Sequence, residues 1–311
     1  MLNVQPATKP TIYFIGVTTG KSSIMRVFPK WAEALGLDAD IKGIDFKPHS
    51  PAEDYREAVE FIKNDPLSMG ALVTTHKIDL YNACKDLFEY LDPFALKLGE
   101  ISSISKKDGQ LRGHAKDPIS SGLALEHFVP ENYWKDYDGD VFLMGAGGAA
   151  LAMSLYFGQR KTGDDIPGHI IISNRSLPRL ESAKEILKDM NPKITFDYLH
   201  TPSPEDNDRI LASLKPHSLI VNATGLGKDA PGSPLTDQCS FPQDSLVWEI
   251  NYRGELVFMD QAKAQAEAKN LTIEDGWIYF IHGWTQVVAE VFHIDDMPDK
   301  VLMLSEVAKN A

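Results

Sequence analysis

A chain of 311 residues with 43% hydrophobic content can bury a sizeable core and is long enough for two domains. Its formal net charge of −13 excludes a nucleic-acid backbone or an anionic membrane as the main partner, because both require a positive footprint; a small molecule is the expected partner. There is no run of about 18 apolar residues, the amino terminus (Met1-Leu2-Asn3-Val4-Gln5-Pro6) lacks the basic-then-apolar layout of a secretory signal, and Cys84 and Cys239 stand far apart with no paired histidine at metal spacing, so a cytoplasmic protein with unpaired thiols and no metal is expected.

The predicted elements alternate. Strand-like runs at 11–15, 41–46 and 71–74 are separated by helical patterns at 24–35 and 52–64, which predicts a mainly parallel sheet covered by helices. A helix opens at 118–122 and runs to about residue 127, and the polar stretch 130–139 reads as the hinge side of a domain boundary. A second series follows: strands at 141–144, 170–173, 194–198, 219–223 and 246–250, with helices at 180–188 and 205–214. From about residue 259 the chain reads as helical, broken at Asp275-Gly276, and neither repeats nor low-complexity tracts occur. The fold class is therefore α/β with two units.

The densest chemical signal starts at residue 141. The apolar run Val141-Phe142-Leu143-Met144 enters Gly145-Ala146-Gly147-Gly148-Ala149-Ala150, a strand turning through glycines into a helix, where backbone N–H groups and the helix's positive end can hold a dinucleotide's pyrophosphate. In this G-x-G-x-x-A form Gly145 permits the tight turn, Gly147 lets the backbone approach the phosphates, and Ala150 keeps helix and strand close. The next strand, Ile170-Ile171-Ile172, ends in Ser173-Asn174-Arg175-Ser176, with Arg179 following. An NAD site usually places an acid there for the ribose 2′-hydroxyl; arginines favour a 2′-phosphate, so NADP is the expected cofactor. Alone, the glycines also fit an ordinary tight turn, and Arg175 and Arg179 fit solvated surface charges.

Lys77 follows the strand-like 71–74, where its amine would project from a strand's carboxyl end, and Asp117 stands just ahead of a helix. A carboxylate that orients a partly buried amine can move a proton on or off a substrate hydroxyl without a metal. Each also has a structural reading: Asp117 as a helix N-cap with Pro118 at the first helical position, Lys77 as a surface charge. His76 and His114 lack metal-ligand spacing and are expected to be satisfied structural histidines.

With these residues in view, the chain resembles the shikimate dehydrogenase family across nearly its whole length. The marks, in the family's order, are Gly16-Val17-Thr18-Thr19-Gly20-Lys21-Ser22-Ser23, Val73-Thr74…Lys77, Leu98-Gly99-Glu100-Ile101-Ser102-Ser103 and Gly113…Asp117. They continue with the glycine loop, Asn174-Arg175-Ser176, Asn222-Ala223-Thr224-Gly225-Leu226-Gly227 and Glu249-Ile250-Asn251-Tyr252. The resemblance implies a substrate-binding catalytic domain at 1–120, a Rossmann-type NADP domain at 121–274, and C-terminal helices at 275–311 that return to the first domain. It implies an NADP-dependent oxidoreductase acting on a ring secondary alcohol or ketone of a small carboxylated polyol, shikimate-like, in aromatic amino acid biosynthesis, as a monomer or homodimer.

Carried over residue by residue, the resemblance makes Lys77 and Asp117 the catalytic pair, places Ser22 and Ser23 near the hydroxyls that bind the substrate carboxylate, and turns Tyr252 toward the substrate. Thr74 and Ser102 fall at substrate positions, Gln286 stands near one as a candidate substitute for the family's glutamine, and Asn222-Ala223-Thr224-Gly225 borders the nicotinamide ribose beside Gly145, Ala146, Gly147, Gly148 and Ala149. Ser22 and Ser23 equally suit an N-cap, Tyr252 simple packing, and the Asn222 segment a bare turn. The departures cluster on the substrate side. The two serines are adjacent instead of spaced by one, the Val-Thr-x-Pro-x-Lys element lacks its proline and one residue, and Ser102 and Ala115 stand where asparagines are usual. Gly283 replaces the usual glutamine, with Gln286 about one helical turn on. A substrate other than the family's usual one is the natural inference. The rival readings are a non-catalytic NADP-binding sensor of the same fold and a two-domain enzyme of the methylene-tetrahydrofolate dehydrogenase kind.

Overall fold

The computed structural model describes residues 6–159, 165–228 and 230–311, so the reading of the amino terminus, apart from Pro6, lies outside the described residues. The chain divides into two units: one comprises the chain up to Lys116 together with Ile281–Ala311, the other Asp117–Phe280.

In the first unit β1 (Thr11–Gly16) is buried at all six positions, as its unbroken apolar run requires of a strand covered on both faces. Helix α1 (Ile24–Leu35) buries Ile24, Val27, Phe28 and Trp31, one stripe at helical spacing, and ends at left-handed Gly36, whose N–H caps the Ala32 and Glu33 carbonyls. Strand β2 (Asp40–Asp45), helix α2 (Ala52–Asn64) and strand β3 (Ser68–Val73) follow. β2 and β3 flank β1 in parallel. Helix α3 (Lys77–Cys84), strand β4 (Tyr90–Leu91) and helix α4 (Pro93–Leu98) lead to β5 (Ser103–Lys107) and β6 (Gln110–His114). The sheet order is β2-β1-β3-β5-β6-β4. β5 is antiparallel to both β3 and β6, so the mainly parallel sheet read from the sequence carries an antiparallel hairpin. That hairpin turns on Asp108 and Gly109, both at positive φ (53° and 76°), the conformation that Asp-Gly supplies in a tight hairpin.

In the second unit come α5 (Asp117–Phe128), α6 (Tyr133–Asp136), β7 (Val141–Met144), α7 (Gly148–Gln159), β8 (His169–Asn174) and α8 (Leu177–Leu187). Next are β9 (Thr195–His200), α9 (Pro204–Ser213), β10 (Leu219–Asn222), β11 (Leu246–Glu249), α10 (Val257–Lys263), α11 (Ala266–Lys269) and β12 (Thr272–Glu274). The sheet order is β12-β11-β10-β7-β8-β9, with every pairing parallel: a doubly wound Rossmann-type sheet. Two expectations are corrected. The polar stretch 130–139 contains α6, whose Tyr133 and Trp134 are buried, and the Asp165 carboxylate fixes it by accepting the Asn132 and Trp134 backbone N–H groups at 3.0 Å. The segment after residue 259 is not wholly helical, because β12 pairs with β11 at the sheet edge.

Two helices end the chain, α12 (Trp277–Phe292) and α13 (Met297–Lys309). In the first unit α13 packs on α1: it buries Val301, Leu304 and Ala308, and the Trp31 indole N–H donates to the Leu304 carbonyl at 2.7 Å. Among the described residues no helix is long and apolar enough to cross a membrane, and no group of three or more His, Cys, Asp or Glu side chains could hold a metal. Cys84 and Cys239 are unpaired and buried, and burial pushes their thiols up to about 12 and about 11.

Candidate active site

At the carboxyl ends of β7, β8, β9 and β10 lies a cleft of about 410 Å³, the place where open parallel sheets bind ligands. Its floor is the glycine turn. Gly145 has φ +113°, and a Cβ there would lie 2.7 Å from the Ala223 carbonyl oxygen; no other residue suits both the backbone angle and the contact. At Gly147 a Cβ would meet nothing within 4 Å, so the missing side chain leaves open space over the backbone. Helix α7 begins immediately afterwards, and its first N–H groups have no intrahelical acceptor. This arrangement suits a pyrophosphate.

The β8 end supplies the second half. Asn174 folds the chain by accepting the Ser176 N–H at 3.0 Å, while Arg175 and Arg179 are exposed. Among the described residues neither arginine forms an ion pair, so both guanidinium forks are available for a phosphate. Of the cofactor residues read from the sequence, Gly145, Ala146, Gly147, Asn174, Arg175, Ala223, Thr224 and Gly225 line this cleft. Gly148, Ala149, Ser176, Arg179 and Asn222 are not among its lining residues. Thr201, Ser203, Asn207 and Ser233 also line it, and the sequence reading missed them. Asn207 is buried, accepts the Ser173 hydroxyl at 2.7 Å and donates to the Pro234 carbonyl at 2.9 Å. The available signal was Thr201-Pro202-Ser203-Pro204, a helix start directly after a strand of this sheet.

The Asn222 segment is more than a bare turn. Buried Asn222 accepts the Thr224 N–H (3.1 Å) and hydroxyl (2.6 Å) and donates to Glu249 at 2.6 Å. Glu249 is 0% exposed. Tyr252 is half-buried within an aromatic group, its ring 4.6 Å from Phe280 and 6.0 Å from Trp277.

In the first unit Thr74 follows β3, its carbonyl accepting the Lys77 N–H at 3.1 Å. Lys77 is the first residue of α3 and half-buried, so its amine stands at a helix start a turn beyond the strand. Asp117 is the first residue of α5 in the second unit, half-buried, with its carbonyl accepting the Ser120 hydroxyl at 3.3 Å. Ser23 occupies the cap position of α1 but makes no side-chain cap bond, so neither its hydroxyl nor that of half-buried Ser22 is spent on capping. The Ser102 hydroxyl accepts the Lys116 N–H at 2.8 Å and donates to the His114 carbonyl at 3.4 Å, which commits it to backbone. Gln286 is half-buried on α12.

The two histidines part ways. His114 has carboxylates at both nitrogens: Nε2 lies 3.1 Å from Glu290 and 3.2 Å from the Ser105 hydroxyl, and Nδ1 lies 3.6 Å from Asp92. His76 is only half satisfied: Nδ1 lies 2.9 Å from the Tyr55 hydroxyl, while buried Nε2 has no hydrogen-bond partner among the described residues, which corrects the expectation that both rings are satisfied.

No family model matches the chain. A curated "Shikimate dehydrogenase (NADP(+))" of Nitrosopumilus maritimus is 26% identical over 252 residues, covering 80% of this chain and 81% of that one. One of Streptococcus thermophilus is 28% identical over 179 residues, and the chain spans 57% of that relative's length. Among solved structures, quinate dehydrogenase from Corynebacterium glutamicum in complex with NAD shares the fold with a TM-score of 0.74 at 17% identity, over 97% of this chain and 99% of that one. The chain is thus similar in sequence to a curated shikimate dehydrogenase along four-fifths of its length and shares the fold of a solved quinate dehydrogenase along nearly all of it.

Proposed function

We propose that this chain is an NADP-dependent dehydrogenase that interconverts a ring secondary alcohol and the corresponding ketone on a small carboxylated, shikimate-like molecule. The observation that carries this reading is the cleft in which the Gly145 turn, the open space at Gly147 and the exposed Arg175 meet. The curated relatives are NADP-dependent by name, which supports the same cofactor. The backbone at 147–149 holds the pyrophosphate; Asn174, Arg175, Ser176 and Arg179 receive the 2′-phosphate. Bound NADP supplies the hydride acceptor for oxidation, or the donor for reduction.

Lys77 takes the hydroxyl proton as the alcohol is oxidised and returns it in the reverse direction, and Asp117 orients it. Ser22, Ser23 and Lys21 bind the carboxylate, where charge-assisted bonds need little area. Thr74, Tyr252 and Gln286 face the ring. Ser102, with its hydroxyl tied to backbone, shapes the pocket more than it binds. The departures from the family pattern at Ser23, Ser102, Ala115 and Gly283 support a substrate that differs from shikimate in the groups around its ring.

A panel of cyclic hydroxy acids, including shikimate, quinate and an aminated relative, assayed with NADP and with NAD, tests this reading. NADP-linked turnover that disappears in Lys77→Ala is expected. Saturable NADP binding without turnover across the panel would replace the enzyme by a sensor of the same fold, and full activity in Asp117→Asn would point to folate-type chemistry.

A further inference from the structure

Asn222 and Glu249 are register partners at the carboxyl ends of neighbouring parallel strands β10 and β11. Glu249 lies outside the cleft lining, and the chemistry proposed above gives it no task, yet it is fully buried and every bond it accepts leads toward the cleft. One carboxylate oxygen accepts the Asn251 backbone N–H at 2.8 Å and side-chain N–H at 2.6 Å. The other accepts the Asn222 amide at 2.6 Å. Asn222 in turn uses its oxygen to hold the Thr224 N–H and hydroxyl, Thr224 accepts the Leu226 N–H at 3.2 Å, and Asn251 donates to the Thr224 carbonyl at 3.3 Å. Ala223, Thr224, Gly225 and Leu226 form one wall of the cleft.

All three groups facing Glu249 are N–H donors, a set that an anion satisfies and a neutral carboxyl does not. Protonation would place an O–H among them. To accept it, Asn222 or Asn251 must turn its amide oxygen inward; if Asn222 does, it withdraws the oxygen that folds Thr224. The charge on Glu249 is therefore coupled to the shape of a wall it does not touch.

We infer that Glu249 is a positioning residue for the coenzyme: as a carboxylate it locks Asn222 and Asn251, and through them the turn at 223–226, in the form that binds the dinucleotide. This rests on the dinucleotide reading above. Burial pushes the carboxyl up to about 7, checked by the Asn251 and Asn222 N–H groups and by the Lys228 charge, so the two forms exchange near neutrality. Of the charged groups on flanking segments, namely Lys228 after β10, Arg253 and Glu255 after β11, and Glu274 on β12, Lys228 is the one whose charge acts on it.

The test is the dissociation constant of NADP by calorimetry, for the full chain and for Glu249→Gln, at about pH 5.5 and about pH 8.5, either side of the titration. Taking the ratio of variant to parent cancels the coenzyme's own ionisation. The ratio is expected to be roughly five- to tenfold at the higher pH, less than the full worth of a charge-assisted bond because the effect reaches the coenzyme only through the turn, and to approach one at the lower, where the parent's Glu249 is neutral. A pH-independent ratio, or tighter binding by the variant because a buried negative charge has been removed, overturns the inference. Thr224→Val leaves the core intact and loosens the same turn, so if Glu249→Gln does not fold it should give the same pH-dependent ratio, and a flat one overturns the inference equally. A parent chain that binds no NADP overturns the dinucleotide reading and this inference together; a parent that binds, with a flat ratio, overturns this inference alone.

Discussion

His114 Nε2 lies 3.1 Å from Glu290 Oε1, joining the end of β6 to a helix more than half the chain away in sequence. The other Glu290 oxygen holds Lys116 Nζ at 2.6 Å, and Asp92 stands 3.6 Å from the second His114 nitrogen. Burial opposes the imidazolium, but the bonds to Asp92 and Glu290 outweigh it and raise the His114 pKa. The His114 bond, against burial and with help from Lys116, holds Glu290 far below the usual carboxylate range.

Removing the Glu290 charge leaves two cations without their shared partner. Glu290→Gln is expected to cost about 2–3 kcal/mol in urea unfolding near pH 6, below the figure for a fully buried pair because the Glu290 side chain keeps 21% of its surface exposed. The sign with pH follows from the directions. Glu290, lowered from 4.5, contributes stability present above that value and lost as pH falls through its native pKa; His114, raised from 6.5, contributes stability present below that value and lost as pH rises through its native pKa. The difference between parent and variant is thus greatest between 4.5 and 6.5, and a difference independent of pH would refute the pairing as its source.

Glu249 acts in the opposite sense. Its native pKa is raised from 4.5 to about 7, so its contribution to stability is full below 4.5 and is lost as pH rises through about 7. A rise of that size is worth about 3 kcal/mol. Glu249→Gln cannot titrate, so its melting temperature should fall less steeply than the parent's between about pH 5 and about pH 8; parallel curves would show that Glu249 is already ionised throughout.

Lys77→Ala should lower kcat by about 10²- to 10⁴-fold, the usual worth of a positioned acid or base, while leaving the NADP dissociation constant unchanged. A variant that instead loses NADP binding and keeps kcat would move Lys77 from proton transfer to coenzyme binding.

Much of the second unit could be read from the sequence because β7, β10 and β11 are short strands buried at every position and apolar throughout except for the terminal Asn222 and Glu249, and because the glycine turn obeys constraints local to six residues. The β5–β6 hairpin was missed for the reverse reason. β5 is Ser-Ile-Ser-Lys-Lys, with two buried serines around a single apolar residue, and only Asp108-Gly109 announced it. Tyr133 and Trp134 were lost within a polar stretch, and β12 has just three residues, too few to show a period. Lys77 and Asp117 stood out by residue type and position. Glu290 and Glu249 could not, since each draws its meaning from partners on other elements.

Arg175 carries the coenzyme preference in this reading. Arg175→Ala should reduce the ratio of NADP to NAD affinity by roughly 10- to 100-fold, the worth of one charged hydrogen-bonding contact, with NAD binding little changed. Equal losses for both coenzymes would mean that Arg175 shapes the loop instead of meeting the 2′-phosphate.

The two glycines of the turn separate folding from binding. Gly145→Ala must hold an L-residue at φ +113° with its Cβ 2.7 Å from the Ala223 carbonyl, and the strain, about 1–3 kcal/mol, should lower the melting temperature before any ligand is added. Gly147→Ala meets no atom within 4 Å, so the apoprotein should melt as the parent does. Its methyl group would instead occupy the space through which the pyrophosphate approaches the backbone, and NADP affinity should fall by roughly tenfold or more. If Gly147→Ala binds NADP as tightly as the parent, the phosphates lie elsewhere in the cleft and the glycine turn serves only to pack α7 on the sheet.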